Sequence, residues 1–129
     1  MRKEIVLITG ANGEIGHGLI AHLGEEKKYS IVAMDVSPLD DALRPYCERF
    51  ILGDILDLML LGRLVSEFEI RTIYHLASIL STKAEYSPET AHRVNVEGTL
   101  NLLRLAVEQS SWQGRPVKFI YPSSIAAYG

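Results

Sequence analysis

A chain of 129 residues, 47% of them hydrophobic, can bury one core but hardly two, so a single compact domain is expected. Its formal charge of −3 and its scattered Lys and Arg residues leave no basic stripe, which argues against nucleic acid as a partner. Cys47 is the only cysteine, so no internal disulfide can form and a reducing cytoplasm fits; the run Ile5 to Ile8 is too short for a signal peptide, and no apolar stretch approaches a membrane span.

Glu4 to Thr9 is a short, β-branched apolar run ending at a glycine, the pattern of a buried parallel strand. From Glu14 to about Lys27, Ile15, Leu19, Ile20 and Leu23 recur at helical spacing. Ser30 to Asp35 reads as a second strand, the stretch around Pro38 and Pro45 as irregular, and Arg49 to Leu52 as a third strand. After a turn at Asp54 to Asp57, Asp57 can cap a helix whose inner face carries Leu58, Leu61, Val65 and Phe68. Thr72 to Leu76 is the predicted fourth strand, followed by a loop to Ser87. Pro88 fits the first turn of a long helix ending near Gln109, with Ala91, Val94, Gly98, Leu102, Leu105 and Ala106 inward and Arg93, Glu97, Arg104 and Glu108 outward. Val117 to Tyr121 closes the series as a fifth strand. Strands alternating with helices predict an α/β fold of Rossmann type, a doubly wound parallel sheet in the order 3-2-1-4-5. A fifth strand with an uncovered edge predicts poor folding or association of the isolated chain.

The segment Gly10-Ala11-Asn12-Gly13-Glu14-Ile15-Gly16 lies between the first strand and the first helix, the context a dinucleotide-binding turn requires. Gly10 can take the tight turn, Gly13 admits a pyrophosphate close to the backbone, and Gly16 lets the helix pack on the sheet. The helix start carries about half a positive charge and free N–H groups, so it stabilises phosphate without a lysine. Asp35 ends the second strand about twenty residues after Gly16, where a ribose-binding carboxylate is expected. It would repel the extra phosphate of NADP, so NAD is the expected cofactor. His17, His22, His75 and His92 lack ligand spacing, and no metal is expected.

The spacing of the glycine turn, preceded by Thr9, resembles the short-chain dehydrogenase/reductases. Gly53-Asp54-Ile55-Leu56-Asp57, His75-Leu76-Ala77, the segment from Val94 to Thr99 and the segment from Ser123 to Gly129 narrow the resemblance to the extended, NAD-dependent epimerase/dehydratase branch. The resemblance implies that Asp54 and Ile55 meet the adenine, that Leu76, Ala77 and Ser78 line the nicotinamide side, and that Asn95 and Ser123 lie near the cofactor. It makes Ser124 the catalytic hydroxyl that hydrogen-bonds the reacting substrate oxygen. Read from the residues alone, the alternative for Asp54 is that it merely shapes the turn before Asp57, and His75 is a packed strand residue rather than a catalyst. Gly98 is expected to be a close-packing position.

Enzymes of this branch use a tyrosine four residues before a lysine as their acid/base pair. None of the six tyrosines here has a lysine at that distance. The expectation is therefore an NAD(P)-binding domain, residues 1–129, that is the N-terminal part of a longer fold and is inactive by itself. The resemblance implies hydride transfer at a substrate hydroxyl carbon, and a parent enzyme that is a homodimer joined through the long helix. It also implies a small-molecule substrate, either a nucleotide sugar or a small hydroxy or amino acid. The stretch from His75 to Ser81, with Glu85, Pro88, Ala91 and Asn95, looks like the corresponding stretch of L-threonine 3-dehydrogenases and related hydroxy-acid dehydrogenases of the branch. A dinucleotide-binding module without catalysis and an inert truncation product stand as the other readings.

Overall fold

A computed structural model of the chain describes residues 3–77 and 88–121. The strands are β1 (Lys3–Thr9), β2 (Ser30–Asp35), β3 (Arg49–Leu52), β4 (Phe68–His75) and β5 (Lys118–Ile120), and the helices are α1 (Glu14–Glu26), α2 (Leu58–Glu67) and α3 (Pro88–Gln113). All pairings are parallel and the order is β3-β2-β1-β4-β5, as the sequence predicts.

Side chains alternate across the sheet, and both faces are covered, which is why the central strands are continuously apolar. Ile5, Leu7, Val32 and Met34 pack against Leu61 and Leu64 of α2 and Leu102, Leu105 and Ala106 of α3. Val6, Ile8, Ile31 and Ala33 face the other way, onto Ile20 and Leu23 of α1 and Leu39 and Leu43 of the following segment. Asp57 caps α2, accepting from the N–H groups of Met59 and Leu60.

Five boundaries or faces differ from the sequence reading. β4 starts at Phe68, four residues before the predicted Thr72, and follows α2 with no loop. Glu69 and Arg71 hid this start. Both sit at the polar end of the sheet, where Arg115 pairs with Glu4 and Glu69, and Arg71 with Glu4. Register slips there: Ile5 pairs with Ile70 but Val6 with Thr72, so Arg71 is the extra residue of a bulge. The bulge turns Ile70 and Ile73, three apart in sequence, into the same core. On α2 the inner residues are Leu61 and Leu64, whereas Leu58 is exposed and Phe68 belongs to β4. On α1, Ile15 is likewise exposed rather than inward. β5 is confined to Lys118–Ile120.

The fifth difference is the end of α3, which runs on to Gln113. The abrupt passage from α2 to β4 leaves backbone groups that lack a helix or sheet partner. Gln109, fully buried, supplies them: its Oε1 accepts from Ile70 N at 3.3 Å, and its Nε2 donates to Val65 O at 3.1 Å and Phe68 O at 3.4 Å. An apolar pattern cannot reveal a helix turn held by amides. Gln109→Leu, which keeps the bulk and removes the partners, is expected to lower the unfolding free energy by about 3 kcal/mol in urea titration. A loss below about 1 kcal/mol would show that water replaces the clamp.

Candidate functional site

The carboxyl ends of β1 to β4 open onto one cleft of about 540 Å³, the end of a parallel sheet where such folds place ligands. Thr9 closes β1 and the chain turns at Gly10, whose φ of +68° only glycine adopts without strain. A Cβ there would stand 2.5 Å from the backbone N of Ala77, so the exit of β4 rests directly on the turn. Gly13 is different. It is exposed, in extended conformation, and a Cβ would meet only Gly10 O, at 3.4 Å. Nothing in the protein requires a glycine at 13; its bare backbone leaves open the space before α1. No side chain caps α1, so its first N–H groups face that space. Gly16, by contrast, is buried one turn on, where a Cβ would collide with the carbonyl of Ala11.

Asp35 stands beside the turn and is fixed by it. Its Oδ2 accepts from Asn12 N and its Oδ1 from Ser37 N, each at 2.9 Å. Asn12 is anchored in turn through its Oδ1, 3.0 Å from His17 Nε2 on α1. Beside Asp35, Asp54 does shape its own turn: its Oδ1 accepts from Leu56 N at 2.9 Å and its carbonyl from Asp57 N at 3.0 Å. It also lines the cleft. Ile55 is held from above by α3, where Asn101 Nδ2 donates to its carbonyl at 3.1 Å and Gly98 leaves room for its side chain, the close packing expected of that glycine.

At the other end of the cleft, His75 is fully buried and bonded through both ring nitrogens, as a packed strand residue should be. Nδ1 lies 2.8 Å from Thr9 Oγ1 and Nε2 lies 2.9 Å from Thr99 Oγ1. Thr9 Oγ1 also accepts from Ala77 N at 3.3 Å. The ring packs beside Phe119 and Tyr121, with centroids 6.0 and 5.4 Å away. Burial draws the imidazole pKa down from 6.5 to about 4, so the ring is neutral at physiological pH.

Of the residues predicted from sequence, Gly10, Asn12, Gly13, Asp35, Asp54, Ile55, Leu76 and Ala77 line the cleft. Glu14 and Ile15 are exposed on the first turn of α1, and Asn95 is half-buried on α3, where Thr90 and Val94 provide the lining. Ser78, Ser81, Ser123 and Ser124 lie outside the described residues. Sequence reasoning missed Val36 and Ser37 in the wall, and Thr9, His17, Thr99 and Asn101 behind it. Thr99 and Asn101 did carry a signal, as polar residues amid the apolar positions of a long helix.

A second, wider hollow lies at the opposite end of the sheet, among Lys3, Glu4, Lys28, Glu69, Arg71 and Arg115. Its arginines already pair with its carboxylates, and Lys3 with Glu48, so it reads as a surface ion network. Among the described residues no group of three or more His, Cys, Asp or Glu is arranged to hold a metal, and no helix is long and apolar enough to cross a membrane.

The sequence profile of the NAD-dependent epimerase/dehydratase family matches residues 6–129. The chain belongs to that family. Among its relatives, a human protein named inactive L-threonine 3-dehydrogenase, mitochondrial, is 33% identical over 126 residues, covering 96% of this chain and 51% of that protein. The solved structure of a GalE-like L-threonine dehydrogenase from Cupriavidus necator, in its holo form, superposes with a TM-score of 0.79 at 31% identity, over 95% of this chain and 38% of that one. An ADP-L-glycero-D-manno-heptose-6-epimerase from Helicobacter pylori gives 0.80 at 26% identity, over 99% and 41%. The chain thus spans about half or less of the length of these family members.

Proposed function

We propose that residues 1–129 form the dinucleotide-binding domain of an oxidoreductase that takes NAD in preference to NADP. The reading rests on one juxtaposition: a glycine at 13 that no protein contact requires, at an uncapped helix start, facing a carboxylate at Asp35 fixed by two backbone N–H groups. The pyrophosphate would lie over Gly13 and the N–H groups of α1. Asp35, acceptor only, suits the two ribose hydroxyls and opposes a 2′-phosphate. Asp54 and Ile55 would border the adenine, Leu76, Ala77 and Ser78 the nicotinamide, with Asn95 and Ser123 close by.

Bound there, the cofactor would accept hydride from a substrate hydroxyl carbon, while Ser124 would hold the substrate oxygen by a hydrogen bond. We infer a small hydroxy or amino acid of the threonine type as substrate, on the likeness of the stretch from His75 to Ser81 and on relatives named for threonine dehydrogenation. A nucleotide sugar is the alternative that the epimerase likeness supports. The human relative named inactive favours, as a second reading, binding without turnover.

Calorimetric titration tests the cofactor. NAD is expected to bind about a hundredfold more tightly than NADP, equivalent to about 3 kcal/mol, and Gly13→Asp should abolish both. Equal affinity for the two would remove Asp35 from its role. For the proposed homodimer, α3 carries an exposed stripe of Val96, Leu100, Leu103 and Val107, spaced by three and four residues. Light scattering should show concentration-dependent dimers that Val107→Glu dissociates; a monomer at all concentrations would discard this face.

A further inference from the structure

The hydrogen bonds around His75 have only one consistent direction. The hydroxyl of Thr99 donates to Asn95 O at 2.5 Å, and a carbonyl can only accept. Thr99 Oγ1 must therefore accept from His75 Nε2, which places the ring proton on Nε2. That leaves Nδ1 as an acceptor, so Thr9 donates its hydroxyl proton to it, while Thr9 Oγ1 accepts the amide of Ala77. The chain runs without a break from Ala77 N–H through Thr9, His75 and Thr99 to Asn95 O.

We propose that His75 is a positioning residue of the dinucleotide cleft: locked as the neutral Nε2–H tautomer between Thr9 and Thr99, it sets how the exits of β1, β4 and β5 stand against α3, and so shapes the nicotinamide end. This rests on the dinucleotide reading above. Three features place the effect at that end. Ala77, whose amide starts the relay, rests on Gly10 and lines the cleft. Tyr121, which meets the ring, directly follows β5. The adenine side is secured separately, by Asp35 on Asn12 and by Asn101 on Ile55. Burial supports the fixed tautomer by keeping the ring uncharged. The ring is fully buried and is not part of the cleft lining, so it acts through Ala77 and the strand exits.

The test separates the two halves of the ligand and uses Thr99, because replacing His75 itself risks unfolding. Thr99→Val deletes the acceptor for Nε2–H at constant volume. It is expected to weaken NAD about tenfold while ADP, which lacks the nicotinamide half, changes less than about twofold, and Thr99→Ser should restore NAD affinity. Nitrogen-15 correlation spectra of the histidine rings should show His75 as the Nε2–H tautomer at neutral pH in the unaltered protein. Equal losses for NAD and ADP, no loss for either, failure of Thr99→Ser to restore, or an Nδ1–H ring would each overturn the proposal. An unaltered protein that binds neither nucleotide would instead overturn the dinucleotide reading, and this proposal with it.

Discussion

Gly10→Ala is expected to destabilise the chain by about 3 kcal/mol and to eliminate nucleotide binding. Two costs combine. A left-handed backbone angle at a residue with a side chain costs about 1 to 2 kcal/mol, and Gly10 sits at φ +68°. The added methyl would stand 2.5 Å from the backbone N of Ala77, so the exit of β4 must move, and such overpacking costs about 1 to 3 kcal/mol more. Gly13→Ala provides the contrast. There φ is −81° and the methyl would meet one carbonyl oxygen at 3.4 Å, so stability should change by less than about 1 kcal/mol. If the space over Gly13 holds a pyrophosphate, however, NAD affinity should fall steeply. Urea unfolding and calorimetry on the two variants therefore separate a glycine that the fold requires from one that the ligand requires. A Gly13→Ala protein with unaltered NAD affinity would leave the glycine turn without a binding role.

The same distinction explains what could be read from the sequence. β2 and β3 are legible to the residue because each is a short apolar run ended by a polar or turn-forming residue, which suffices both for buried β2 and for the half-exposed edge strand β3. The cap at Asp57 and the inner face of α3 from Ala91 to Ala106 follow from local chemistry and helical period. β4 was misread at its start because Glu69 and Arg71 are satisfied by Glu4 and Arg115, partners distant in sequence. The last turn of α3 was missed because two glutamines, not apolar side chains, hold it against β4. In the site, the glycine turn and Asp35 were visible as spacing. The links behind them were not: Thr9 to His75, His75 to Thr99, and Asn101 to Ile55 join residues on separate elements, and a buried polar side chain does not announce its partner until the sheet brings the two together.

Acid should weaken this protein through His75. The unfolded chain takes a proton on this ring as pH falls through 6.5, whereas the folded protein resists until about pH 4, because burial penalises the charged form. The unfolded state thus binds more protons across that window, and stability must fall as pH falls within it. The slope is about 1.4 kcal/mol per pH unit, or about 3 kcal/mol in total. Thr9 from β1, Thr99 from α3 and the rings of Phe119 and Tyr121 surround the imidazole, so desolvation and not a neighbouring charge sets the shift. Glu4 acts in the same direction at lower pH: hydrogen bonding to Arg115 lowers its pKa, so its contribution is lost as pH drops through the folded value. A comparison with His75→Gln, which retains a donor and an acceptor but no titration, cancels that background. Urea unfolding at pH 6.5, 5.5 and 4.5 should show the unaltered protein losing about 1.4 kcal/mol per unit more than the variant. Parallel pH profiles would mean that His75 takes its proton in the folded protein at the same pH as in the unfolded chain, and below that pH the directed chain from Ala77 to Asn95 could not persist, because a protonated Nδ1 cannot accept from Thr9.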